Sequence, residues 1–478
     1  MRYIIVNLLI KYKELSQSKK AAIWYVICNI LQKGIAFLVI PIYVRLLSTS
    51  EYGQYTIFQS WCNILIIFAT LNLHCGVYTK AMVDYSEDRD RYTSCMQGLS
   101  TVVTLVLFFI YIFTQDLWCK YMELDTTTFG LLFIYFIAFP SFSFWAVRQR
   151  VENRYVMMVI ITLLQSVVTP ILSLYLLTQT DLRANAVIWG FLISQSLFGL
   201  FFYVYQFIKG KCFYDGKYWK HGLVYNIPLI PHYLSLVVLG QIDRVLIGHY
   251  CGKDKSGIYG LAYQVSMLMN VIIGGINGAL VPWIYEKFKV KDFCSVKKEA
   301  NRIIFLIALL TAMAMLVAPE LIKIIGTPEY YEAIWIIPAV SLSVFFTFVY
   351  GLFACVEFYY GATKYVMFAT TTGALLSITM NVLLLPRLGY LSAGYTSLTC
   401  YTLFLIMHYI FMKKVAKQNI GNTKVFDNIY VGRMCLIMFF IMLGSLVLYK
   451  YIVIRYFVVA LIALWLIIKH KELLQKSF

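Results

Sequence analysis

About 14 apolar stretches, most of them roughly 20 residues or longer, follow one another along this chain with only short polar connections between them. They lie near 21–45, 53–79, 94–114, 127–147, 156–178, 186–208, 223–249, 258–285, 303–325, 333–357, 363–385, 389–412, 430–449 and 452–468. A water-soluble core cannot absorb so many continuous hydrophobic runs, because a surface helix needs a polar face. Composition agrees: 61% of the 478 residues are hydrophobic and 13% are charged, against about 25% charged in soluble domains, and mean hydropathy is +0.74. The fold class that follows is an all-α polytopic membrane protein.

The net charge of +18 invites a nucleic-acid reading until its distribution is examined. With the amino terminus placed inside, 30 of the 41 Lys and Arg residues fall in inner connections and 8 in outer ones. That bias orients a bundle by the positive-inside rule, so both termini are expected in the cytoplasm and no nucleic-acid partner is required. The 11 cysteines are scattered without a CxxC pair or metal-ligand spacing, which points to neither a disulfide framework nor a metal site. Residues 1–20, with Lys11, Lys13, Lys19 and Lys20 after a short apolar run, suit a basic amphipathic segment on the inner leaflet rather than a cleavable signal.

Polar residues inside the spans carry the functional information, since an ionised side chain in hydrocarbon costs about 2.5–3.5 kcal/mol on insertion scales. The first span aligns Tyr25, Asn29, Gln32, Lys33 and Ala36 on one helix face, and the second carries Gln59, Asn63, Thr70 and His74. Lys33 has no acidic neighbour on its own helix, so it is expected to pair across helices or face a wet cavity that accepts anions. The stretch Leu223–Glu286 is the richest: Pro228 and Pro231 break its first span, and Asn226, Tyr233, Gly240 and Arg244 share a face. Tyr259, Tyr263, Ser266, Asn270, Gly274 and Asn277 form a comparable stripe in the next span, suited to a ligand rich in hydroxyl groups. Asp243 and Glu357 are read either as coupling groups or as structural ones, Asp243 as a possible ion pair with Arg244. Glu87, Asp88, Arg89 and Asp90 resemble a DxD sugar-nucleotide motif, but a solvated charge cluster is the simpler reading.

A short internal repeat organises the chain. EYGQYTIFQ at 51–59 echoes SGIYGLAYQ at 256–264, so that Gly53 and Tyr55 match Gly257 and Tyr259 at an offset of 204 residues. Six spans separate the copies, which gives two six-helix bundles in parallel repeat. The expected division is a segment over 1–20, a bundle over 21–208, a basic linker over 209–222, a second bundle over 223–412, and two extra helices with a tail over 413–478.

GQYTIFQSW, IDRVLIGHYCGKDKSGIYGLAYQVSM and the doublet Pro228 and Pro231 resemble bacterial polysaccharide flippases, the Wzx-type branch of the multidrug/oligosaccharidyl-lipid/polysaccharide exporter superfamily. The resemblance implies a V-shaped cavity with alternating access in the bacterial cytoplasmic membrane. Its implied cargo is undecaprenyl-diphosphate-linked oligosaccharide, for O-antigen of lipopolysaccharide, capsule or exopolysaccharide, with membrane lipids, a polymerase and a chain-length regulator as partners. It implies cationic residues for the diphosphate, carried here to Lys33 and Arg244, with Arg45 and Arg148 as further candidates. The substrate-facing set is then Lys33, Asn29, Gln59, His74, Asn226, Arg244, Tyr263, Asn270 and Asn277, with no catalytic residue, cofactor or metal. A drug or cation antiporter of the same superfamily would be expected to place a carboxylate centrally in spans one to six, and none is there. A membrane glycosyltransferase or polymerase would need a large outer loop or paired acids.

Overall fold

The computed structural model describes residue 12 and residues 15–421 and 423–475, so the segment expected over 1–20 lies mostly outside the described residues. The helices are α1 (Gln17–Leu46), α2 (Thr49–Thr70), α3 (Val77–Asp84), α4 (Arg89–Met122), α5 (Thr126–Val151), α6 (Tyr155–Gln179), α7 (Ala184–Gly210), α8 (Gly216–Asn226) and α9 (Ile230–Cys251). They continue as α10 (Lys253–Met267), α11 (Met269–Lys289), α12 (Phe293–Leu316), α13 (Ala318–Ile325), α14 (Ile337–Tyr359), α15 (Thr363–Leu388), α16 (Ser392–Ile420), α17 (Asn428–Leu448) and α18 (Ile452–Gln475). Twelve stretches of helix among the described residues are long and apolar enough to cross a membrane.

Two expected spans depart from that criterion. The one near 53–79 breaks: α2 stops at Thr70, Leu71 and Asn72 take positive φ angles of 48° and 52°, and Gly76 at 54° turns the chain into α3. Asparagine and glycine tolerate that left-handed backbone, which ends a helix that hydropathy alone would continue. The last stretch is helical, but its apolar part is only Ile452–Trp465. The proline break forms as anticipated, a 3-10 turn over Ile227–Leu229 separating α8 from α9.

The chain forms two compact units. One takes in the chain up to Ile42 together with Gln54–Val237; the other takes in Tyr43–Gly53 and the chain from Val238 onward. In the first, Phe58, Leu65, Tyr111, Phe129, Phe136 and Leu192 build a buried core. There α7 approaches α5 and α6 through glycine: a Cβ on Gly199 would lie 2.4 Å from the Ala138 carbonyl oxygen, and one on Gly190 2.4 Å from the Ser173 Cα. Small residues at such crossings let helices gain dispersion contacts that lipid cannot outbid. The residues expected to link two bundles, 209–222, fold onto this unit and are helical from Gly216.

In the second unit α14 is the central helix, with residues from Ile337 to Glu357 buried along most of its length. Phe345, Phe348, Val349 and Phe353 meet Ile304 and Ile307 of α12 and Met434 and Met438 of α17 in one core. The two extra helices thus belong to this unit. Arg455 of α18, 2% exposed, is held by an ion pair with Glu320 at the start of α13, and Tyr456 donates to the same carboxylate at 2.8 Å.

The two repeat glycines meet inside the second unit. A Cβ on Gly257 would lie 2.2 Å from the Thr49 carbonyl oxygen and 2.9 Å from the Gly53 nitrogen, and one on Gly53 would lie 1.8 Å from the Lys253 carbonyl oxygen. No side chain fits where backbone sits against backbone. Gly257→Ala should therefore lose about 1–3 kcal/mol of stability, read as a lower unfolding temperature of the detergent-solubilised protein. Gly274→Ala, with open space around it, should leave that temperature unchanged.

Candidate functional site

The stripe predicted on α1 divides into two faces. Tyr25 donates to the Gln149 carbonyl at 3.3 Å and Gln32 to the Ser166 hydroxyl at 3.3 Å, fastening α1 to α5 and α6. Asn29, Lys33 and Ala36 point away from that seam and are exposed. Lys33 makes no ion pair or hydrogen bond among the described residues, so its charge is available.

Other candidates in the first unit are committed to its own packing. Gln59 donates to the Tyr55 hydroxyl one turn earlier at 2.7 Å. His74 lies in the turn after α2 with its ring 5.4 Å from Phe139, edge to face, and its buried Nδ1 has no hydrogen-bond partner among the described residues. Asn226 is fully buried and donates to the Leu71 carbonyl at 2.8 Å. That carbonyl is one that α2 leaves free where it stops, so Asn226 supplies a helix-end partner.

The charge cluster at 87–90 is largely spoken for. Arg148 pairs with Asp90 and with Glu152, the latter at 2.9 Å. Arg89 reaches Glu152 at 3.6 Å, and Tyr218 donates to Asp88 at 2.7 Å. Arg45 donates to the Ile324 carbonyl at 2.6 Å. Acids held this way brace the ends of helices.

The second unit contains the densest polar site. Asp243 is 2% exposed and accepts three hydrogen bonds, from Tyr259 of α10 at 2.6 Å, Ser397 of α16 at 2.7 Å and Asn381 of α15 at 2.7 Å. The pairing weighed between Asp243 and Arg244 takes a different form. Arg244 directs its guanidinium over the Tyr263 ring, 4.1 Å from the centroid. Its Nη1 donates to the Gly240 carbonyl at 3.0 Å and the Gln241 amide oxygen at 2.7 Å. A guanidinium has five N–H donors, so two bonds from Nη1 do not exhaust its capacity. Of the two carboxylates, Asp243 is thus built into the fold by neutral donors. The nearby Asn381 Oδ1 and Ser377 Oγ are buried and unpartnered among the described residues.

Arg244 and Tyr263 are the two predicted residues that come together. Asn270 instead donates to the Met267 sulfur at 2.7 Å, and Asn277 is half-buried further along α11. Glu357 is fully buried and bonds His408 of α16, Nδ1 lying 2.9 Å and 3.1 Å from its two oxygens. Tyr350 stacks on the same imidazole with ring centroids 5.1 Å apart and planes 13° from parallel. Sequence reading missed His408, Asn381 and Ser397. Their partners stand 51, 138 and 154 residues away, beyond any local pattern.

A family model described as polysaccharide biosynthesis protein matches residues 18–288, more than half of the chain. The chain belongs to that family. The MatE model matches residues 228–383. Among curated proteins it is similar to the Lsg locus putative protein 1 of Haemophilus influenzae, 23% identical over 359 residues that cover 72% of this chain and 86% of that one. An uncharacterized membrane protein of the same organism is 24% identical over 375 residues, covering 74% and 86%. Among solved structures, the lipid II flippase MurJ in an inward closed conformation superposes with a TM-score of 0.66 at 14% identity, covering 94% of this chain and 99% of that one. A MOP superfamily transporter from Pyrococcus furiosus gives 0.60 at 15% identity, covering 84% and 97%. The fold is that of the MOP transporters.

The Asp243 node gives a direct test. Asp243→Ala strands three buried donors, each costing about 1–3 kcal/mol when unpaired, and should sharply lower the unfolding temperature in detergent. Asp243→Asn, which keeps the shape and one acceptor oxygen, should lower it less.

Proposed function

We propose that the protein is a flippase. It moves an oligosaccharide carried on a polyprenyl diphosphate from the inner to the outer leaflet of the bacterial cytoplasmic membrane by alternating access, with both termini in the cytoplasm. Its product feeds surface polysaccharide assembly, where a polymerase and a chain-length regulator would act next. The observation that carries the reading is Arg244: a buried guanidinium in an apolar helix, braced on the Tyr263 ring and on the Gly240 carbonyl. Lys33 supplies a second available cation on α1. A diphosphate is the ligand such groups suit, since charge-assisted hydrogen bonds in a low-dielectric site are about twice as strong as neutral ones. Membership of the polysaccharide biosynthesis family supports a glycan cargo. Translocation breaks no bond, and the residues named here act by binding.

Glu357 and His408 form a buried carboxylate–imidazole pair in the same unit. A proton gained by either partner changes the charge on the pair and the hydrogen bond that joins it, so the pair is assigned to coupling, and Asp243 to holding its four helices.

Two outcomes test the reading. Lys33→Ala and Arg244→Ala should weaken binding of a polyprenyl diphosphate roughly ten- to hundredfold, the factor for 1.5–3 kcal/mol. Surface glycan should fall while the variant protein stays at its normal level in the membrane. Normal glycan in both variants would remove the assignment. Glu357→Gln should make transport into inverted vesicles insensitive to an imposed pH gradient while leaving substrate binding intact; unchanged pH sensitivity would return Glu357 to a structural role.

A further inference from the structure

The chain from Gly210 to Trp219 is clasped to the first turns of α4. A Cβ on Gly210 would fall 2.2 Å from the Asp90 carbonyl oxygen, and one on Gly98 2.1 Å from the Phe213 carbonyl oxygen, so the two backbones are in contact. Trp219 donates to the Cys95 carbonyl at 2.9 Å, and Arg91 pairs with Asp215 at 3.1 Å. Between these ties the thiols of Cys95 and Cys212 face each other with their sulfurs 2.7 Å apart. Cys95 is fully buried and Cys212 half-buried, and both are free cysteines.

From this geometry we infer that Cys95 and Cys212 form a reversible disulfide, a modification site that ties the connection after α7 to α4 when the compartment facing it becomes oxidising. The oxidant class is a hydroperoxide. Cys212, the more accessible sulfur, attacks the peroxide O–O bond, becoming a sulfenic acid and releasing one alcohol, or one water when the oxidant is hydrogen peroxide. The Cys95 sulfur then displaces the hydroxyl from that sulfenic sulfur, forming the S–S bond and releasing water. Two electrons pass from the sulfurs to the peroxide, one thiol proton leaving in the product of the first step and the other in the water of the second. A small dithiol reverses the step by exchange. The surrounding contacts hold the two sulfurs together, so joining them needs little rearrangement of backbone. This inference is independent of the cargo: it concerns one end of the first unit, and neither Lys33 nor Arg244 takes part.

The test uses the full-length protein in native membranes. Membranes are left untreated, exposed to hydrogen peroxide, or exposed and then reduced with dithiothreitol. Free thiols are blocked with N-ethylmaleimide under denaturing conditions, and the digest is read by mass spectrometry. Untreated protein should carry the label on both Cys95 and Cys212. Peroxide should abolish both labels and yield one joined peptide pair, and dithiothreitol should restore the labels. Peroxide should also raise the unfolding temperature of the wild type but not of Cys212→Ser. Recovery of Cys95 and Cys212 after peroxide as separate labelled or sulfinic peptides would overturn the proposal. A pair already joined in untreated membranes would overturn its reversible character.

Discussion

A carboxylate sealed among apolar helices constrains everything that packs around it. Asp243 is 2% exposed and has two oxygens to satisfy, and its donors come from neighbouring helices at fixed positions. Tyr259, Asn381 and Ser397 supply them, and each fixes the rotation of one helix about its own axis. Ser256 adds a bond to the Arg244 carbonyl at 2.9 Å, locking the beginning of α10 to α9. With α9 held on one side, Arg244 has a single available face, and it lies on Tyr263. The cation assigned to the cargo is thus positioned by an anion that never needs to touch it.

The apolar repeat and the polar stripes were legible because they are local properties of a helix. Hydropathy finds a span wherever about 20 residues avoid charge, and Pro228 and Pro231 announce their break in the sequence itself. What stayed hidden was every relation set by distant parts of the chain. Hydropathy carried the second span through Leu71 and Asn72 because it does not register a left-handed backbone, nor that Asn226 would cap the free carbonyl. Eleven single cysteines gave no hint that two of them would oppose each other across 117 residues. Glu357 could be placed on a helix face, while its partner His408 was one of six dispersed histidines.

The Gly53 and Gly257 pair shows both sides of this. The repeat was readable as a duplication, with glycine at matching positions. Only the folded chain makes the copies each other's neighbour: a residue chosen for having no side chain is required twice over by one crossing.

The places where the chain passes between units fall at Ile42/Tyr43, Gly53/Gln54 and Val237/Val238. Each lies within a helix, α1, α2 or α9, rather than in a loop. Pro41 stands beside the first, Gly53 is the second, and Gly240 follows the third. A boundary inside a helix keeps its backbone hydrogen bonds on either side, so none of the three offers the exposed loop at which proteases usually cut.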